Sequence, residues 1–324
     1  MKKGLFAEKT VAVLAGLILL SFSFFGCKST PVKEGLQEVN PLALLETDSS
    51  IYVRVPVSSH VELVTGILTS VMPSIKESDA KLLANHIDEL YAGLGTVQDR
   101  SRLQVSALGD FPSIAVRSVC TEKNGWKKST YEAVSDENAL SLEYPNLFTV
   151  YSRTDSDFKL SFCSGEVVAC AQKINPLLEE YAKRSSVPQT DYARWISKDD
   201  DDLYFYITRP GQYLRNLIGQ TVTIGCENIY GSLTYEPSSK SSEYSGNYRL
   251  SFYITLSQPR TMRAMLSMLE LSMLMLDGEV EQIDSSTIRV YNLLVTEKEI
   301  SDLFTRDPVT GKHFKVVGDS IITE

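Results

Sequence analysis

Between Tyr248 and Leu256, apolar side chains fall on every second residue: Tyr248, Leu250, Phe252, Ile254 and Leu256. Arg249, Ser251, Tyr253 and Thr255 occupy the positions between them. A period of two sorts side chains onto opposite faces of a strand, so this run can bury one face and wet the other. Strands of that kind belong to antiparallel sheets, because parallel sheets are covered on both faces and read as continuous apolar runs. Further strand-like runs are Ile51–Val55, Leu103–Leu108, Ile114–Val119, Leu147–Ser152, Phe158–Cys163, Glu166–Ala171, Leu203–Ile207 and Ile288–Val295. Val316-Val317 and Ile321-Ile322 flank Gly318-Asp319 as a closing hairpin, and Asn124-Gly125 is a second hairpin signal.

Helical spacing interrupts these runs. Val61, Val64, Ile67, Leu68 and Val71 share one face, which Pro73 ends. Leu83, Ile87, Leu90 and Leu94 suggest a second helix, stopped at Gly93 or Gly95. Ile174, Leu177, Leu178 and Tyr181 mark a third. Thr296 to Glu299 has the form of a capping box ahead of Ile300, Leu303 and Phe304. The class is α+β, mostly antiparallel sheets with amphipathic helices packed on one face. Ile51-Tyr52-Val53-Arg54-Val55 and Leu203-Tyr204-Phe205-Tyr206-Ile207 match in pattern. Each is followed by a Pro (Pro56, Pro210) and a short amphipathic segment, the second using Tyr213, Leu214, Leu217 and Ile218. This leaves open a tandem duplication of one unit, with residues 49–185 and 202–324 as the halves and the polar stretch 185–202 between them.

The N-terminus has a different character. Lys2, Lys3 and Lys9 precede an apolar run from Val11 through Phe25, followed by Gly26 and Cys27. A basic head, a short apolar core and a small residue describe a signal peptide over residues 1–26; the run is short of the roughly 20 residues of a spanning helix. Phe24-Phe25-Gly26-Cys27 resembles the lipobox of bacterial lipoproteins in its relaxed, spirochaete form. The resemblance implies cleavage before Cys27 and diacylation of its sulfur by palmitate-type chains, with residues 27–48 as a lipidated tether. Two acyl chains suffice for stable anchoring, at about 0.8 kcal/mol per buried CH₂. Loss of the leader removes three Lys and one Glu and takes the net charge from -9 to -11. An acidic body is repelled by anionic headgroups, so the lipid must do the holding. It is also a poor partner for nucleic acid. Lys28 occupies the position where, in some bacteria, an Asp retains lipoproteins at the inner membrane. The outer membrane, on its periplasmic face, is therefore expected.

No catalytic or metal constellation stands out, and no cofactor is expected. His60, His86 and His313 are isolated, and no phosphate-cradling glycine loop or G-x-S-x-G occurs. Asp199–Asp202 could attract calcium, but such a run is more often a solvated loop. Ser78-Asp79-Ala80-Lys81 matches S-x-x-K without the companion motifs of penicillin-binding proteins. Cys120, Cys163, Cys170 and Cys226 could form two disulfides in an oxidising compartment, with Cys163 and Cys170 approaching across a hairpin, or remain thiols. Tyrosines on strands suit cross-strand packing or recognition.

Met262–Leu276 holds five of the seven methionines. It reads either as a core helix or as an adaptable hydrophobic groove lined by Met262, Met265, Leu266, Met268, Leu269 and Met273. In outline the body resembles treponemal outer-membrane-associated lipoproteins, whose amphipathic helices dip into the membrane. The resemblance implies a non-enzymatic, lipid-anchored envelope protein that meets a membrane surface, a lipid or another amphipathic ligand through amphipathic helices. The alternative is a structural or assembly factor of the envelope that acts through a protein partner.

Overall fold

Twelve strands of the described chain hydrogen-bond into one sheet. In chain order they are β1 (Ile51–Pro56), β2 (Ile87–Val97), β3 (Arg100–Gly109), β4 (Trp126–Glu132), β5 (Leu147–Arg153), β6 (Ser156–Phe162), β7 (Val167–Ala171), β8 (Leu203–Ile207), β9 (Cys226–Glu236), β10 (Asn247–Leu256), β11 (Glu279–Gln282) and β12 (Thr287–Thr296). A separate hairpin pairs β13 (Phe314–Val317) with β14 (Ser320–Thr323). The computed structural model describes residues 38–71, 76–97, 100–113, 116–117, 120–133, 147–153, 156–211, 225–236, 247–274, 276–304, 314–317 and 320–323. The chain forms two units, Met1–Glu38 and Val39–Glu324, and the architecture here is that of the second. The leader, Cys27, Pro73, the 213–218 segment and His313 lie outside the described residues.

The lateral order is β11-β12-β10-β9-β8-β1-β2-β3-β7-β6-β5-β4, antiparallel at every step. Outward from the central β1–β8 pair, β1-β2-β3-β7-β6 is matched on the other side by β8-β9-β10-β12-β11, and β5-β4 extends the first side. The two similar strands are therefore neighbours, with Tyr52 opposite Tyr206 and Arg54 opposite Tyr204. One ladder thus joins residues 49–185 to residues 202–324.

The described helices are α1 (Val61–Val71), α2 (Glu77–Ala84), α3 (Asn175–Ala182), α4 (Asp191–Ile196), α5 (Met262–Met273) and α6 (Glu297–Phe304). Strand parity assigns them to both faces of the sheet. Val53 and Val55 of β1 pack with Leu63 and Val64 of α1, Ala84 of α2 and Ile300 of α6; this is the front face. Phe205, Ile207, Phe252 and Ile254 continue that face under α5. Tyr52 points the other way, where it packs with Tyr192, Ala193 and Ile196 of α4. Val167, Ala169 and Ala171 of β7, on the same back face by register, receive Leu177 and Leu178 of α3. The single helical layer expected from sequence is thus completed by a second layer on the back.

The tether settles at a 3₁₀ turn, Pro41–Leu44, whose Leu42 and Leu44 are fully buried on the back. Tyr52, Tyr206, Tyr230 and Tyr253 occupy paired positions on four adjacent strands of that face. Tyr206 stacks on Tyr230 and Tyr230 on Tyr253 at 5.6 and 5.1 Å between centroids. Such cross-strand pairs each add about 0.2–1 kcal/mol.

Four local readings need correction. Ile87, Leu90 and Leu94 belong to β2 and not to a helix: Leu90, Ala92 and Leu94 also satisfy a period of two, and pairing with β1 and β3 decides in its favour. Val116 and Arg117, in the expected strand Ile114–Val119, are helical, with N–H bonds from Val116 to Pro112 O and from Cys120 to Val116 O. Gly125, at φ +81°, caps a 3₁₀ turn ahead of β4 and does not join two strands. The polar stretch 185–202 contains α4, whose Tyr192, Ala193 and Ile196 are buried. The capping box is present: Glu299 accepts the Thr296 N–H at 2.8 Å, and Thr296 Oγ1 accepts the Glu299 N–H at 3.2 Å.

Candidate functional site

Met, Leu, Ala, Arg and Glu are all good helix formers, which suits Met262–Met273 to α5. Met262, Met265, Leu269 and Met273 recur at three- and four-residue steps and share the face turned to the sheet. Met262 and Met265 are buried against Ile229, Ile254, Leu256 and Ile288, with Leu266, Met268 and Leu269 half-buried around them. Met273 is buried with Val290 and Leu293. All six residues singled out in the sequence thus pack together under α5, filling the space between helix and sheet.

The apolar residues that face water are others. Leu271, Leu274 and Leu276 are 69%, 79% and 58% exposed. The chain reverses directly beneath them. Asp277 takes the left-handed conformation, at φ +52°. Gly278 presses so closely on the core that a Cβ there would come within 2.6 Å of Leu293 Cδ2 and 2.9 Å of Met273 Sδ. The turn is pinned to the core by its backbone, and the three leucines project from its outer side. On the same front face, α2 exposes Leu82 (60%) and part of Leu83. No large hydrophobic of α3 or α4, on the back, is exposed among the described residues. Sequence reasoning missed this corner because Leu271 and Leu274 lie in the same largely apolar run as the methionines.

A second cluster sits below the β1–β8 seam, where Arg54, Pro56, Asp88, Glu89 and Asp199–Asp201 line an open cavity of about 370 Å³. Arg54 is buried; its Nη1 donates to Asp200 O at 3.0 Å and its Nη2 to Glu89 Oε1 at 2.6 Å. Tyr91 and Tyr204 hydroxyls donate to Glu89 and Asp200 at 2.7 and 2.6 Å. The aspartate run is thus folded onto the seam rather than extended in solvent. Among the described residues, no three His, Cys, Asp or Glu side chains converge as a metal site.

His60 ties this cluster to β10. Its Nε2–H donates to Asp201 O at 2.8 Å, which leaves Nδ1 to accept from the Tyr248 hydroxyl at 3.0 Å. Burial holds the imidazole below its usual pKa, and Arg54 adds to that, against the carboxylates of Asp201 and Asp202. The unfolded chain therefore binds a proton that the folded chain refuses. Stability should be full above about pH 6.5 and fall below it, by up to about 1.4 kcal/mol per pH unit, until the folded imidazole itself protonates. Urea midpoints measured on either side of that pH check the slope. His60→Gln should lower stability at neutral pH and flatten the dependence; an unchanged slope would assign the effect elsewhere.

Ser78 and Lys81 lie on exposed α2. Lys81 is ion-paired with Glu62, which raises its pKa and keeps it a cation, and Ser78 Oγ donates to Asp79 Oδ1 at 3.4 Å. An ammonium held in this way offers no free base to the serine. None of Cys120, Cys163, Cys170 and Cys226 is in a disulfide. Cys170 is opposite Leu160, whereas the Cys163 N–H bonds Val167 O, so the hairpin places the two sulfurs at different rungs. Burial pushes the Cys120 and Cys226 thiols up to about 11, away from reactive thiolate.

A family model described as "Outer membrane-associated lipoprotein TP0453" matches residues 36–301. Two solved structures, crystal forms I and III of TP0453, superpose with TM-scores of 0.61 and 0.60 at 11% identity. Each match covers 82% of this chain, and 96% and 97% of the respective partner chain. At that identity the likeness concerns the fold. No curated protein matches.

Proposed function

The chain belongs to the TP0453 family of outer membrane-associated lipoproteins, and from that premise we propose how it meets its membrane. It is anchored through diacylated Cys27 on the periplasmic face of the outer membrane. It adds a second contact by laying the front-face helices, α5 foremost, on the bilayer. It acts by binding and not by catalysis.

The observation that carries this reading is the leucine corner. Leu271, Leu274 and Leu276 are held out by a turn that is itself fixed to the core. Full removal of a leucine from water is worth roughly 1.5–3 kcal/mol, so the three together could contribute about 5 kcal/mol at a membrane interface. Leu82 gives the same face a second apolar point.

Flotation with phosphatidylcholine vesicles tests the proposal, using the chain from residue 27 with Cys27→Ser so that only the body can bind. The parent should float. The combined Leu271→Ser, Leu274→Ser and Leu276→Ser variant should lose most of its binding while keeping its thermal midpoint, because none of the three supports the core. Equal flotation of the two proteins would sink the role of α5.

A further inference from the structure

Resting on that reading, we propose that the leucine corner selects its bilayer by the looseness of lipid packing and is indifferent or averse to anionic headgroups. The surface it takes is a net-neutral, curved or unsaturated bilayer. Three observations point there.

The first is the sparse charge of α5. Its exposed polar positions are Arg263, Ser267, Glu270 and Ser272, one cation against one anion. Interfacial helices that read anionic lipid carry rows of Lys and Arg on this face. The Ser272 hydroxyl already donates to Met268 O at 2.9 Å within the helix and asks nothing of a headgroup.

The second is the sign of the charge around the leucines. Glu270 and Asp277, the charged residues that adjoin the leucines in the chain, are exposed, and residues 264–288 hold no Lys or Arg. Arg263 is eight residues before Leu271, about 12 Å along the helix. An anionic surface would meet these two carboxylates with no cation adjoining them in the chain.

The third is the size of the apolar element. Three leucines within six residues make a short wedge and not a long apolar stripe. Such a wedge gains most where acyl chains are already uncovered between headgroups, as in strongly curved or unsaturated membranes.

The experiment uses the Cys27→Ser chain from residue 27 and vesicles of dioleoyl phosphatidylcholine, sonicated (small) or extruded (large), with and without phosphatidylglycerol, at low and high salt. Binding should be at least roughly threefold greater on the small vesicles. Phosphatidylglycerol should weaken it at low salt, and high salt should restore it. Combining Glu270→Gln and Asp277→Asn should remove the phosphatidylglycerol penalty and leave the preference for small vesicles. Leu274→Ser should reduce binding to small vesicles most. Binding that rises with phosphatidylglycerol and falls with salt, or that is equal on both vesicle sizes, would overturn this inference and leave membrane contact standing. No binding to any vesicle would instead remove the reading on which it rests.

Discussion

Replacing Cys27 with serine should move the protein from the membrane fraction to the soluble fraction. Acyl chains on this sulfur, as proposed, would contribute about 0.8 kcal/mol for each buried methylene, several times what three leucines can supply. The two contacts therefore rank clearly. In the lipidated protein, loss of the leucine corner should leave fractionation unchanged, because the anchor alone holds the chain. In the Cys27→Ser protein the corner is the main contact that remains, and its removal should take away most of the vesicle binding. Detergent-phase partition of both proteins, expressed behind a secretion signal that is cut before residue 27, reads the ranking directly. Mass spectrometry of the mature amino terminus identifies the modification. A Cys27→Ser chain that also lacks the leucine corner and still sediments with membranes at full level would mean that a protein partner holds it.

The second large effect is inside the sheet. Gly231 of β9 lies between Phe205 and Phe252 on the front face, in register with both. A Cβ there would sit 2.4 Å from Ser251 O, 2.7 Å from Phe252 Cβ and 2.8 Å from Phe205 Cζ. The first two neighbours are backbone and Cβ, which cannot step aside without shifting β10. On the other face, Trp195 Nε1 donates to the Gly231 carbonyl at 3.2 Å, so the strand is clasped from both sides. Gly231→Ala should cost about 3 kcal/mol, at the upper end of overpacking penalties, and lower the thermal midpoint by roughly 6–10 °C. Gly165→Ala is the control: nothing lies within 4 Å of a Cβ at that turn, and the change should stay within about 0.5 kcal/mol. A Gly231→Ala midpoint within two degrees of the parent would show that β9 and β10 can separate at little cost.

Both effects arise at positions that differ in how visible they were beforehand. The proposal at Cys27 comes from a local code, the lipobox, which is read from four consecutive residues. Gly231 has no such code, since nothing around it in sequence reveals that a phenylalanine 26 residues upstream and another 21 residues downstream will close over it. The same contrast runs through the candidate site. The Met-rich run announced a helix, yet which of its residues would be covered depended on β9, β10 and β12 arriving beneath it. The sheet took the methionines and left Leu271, Leu274 and Leu276 outside.

Sequence by itself determined the α+β class, most strand positions and the capping box at Thr296, because each follows from periodicities or contacts spanning a few residues. The tertiary structure alone decided that one sheet joins the two halves at β1 and β8, that helices cover both of its faces, and that β2 is a strand. Those outcomes depend on hydrogen bonds between segments far apart in the chain. For β2, two apolar periods fit the same residues, and only the partner strands on either side could choose between them.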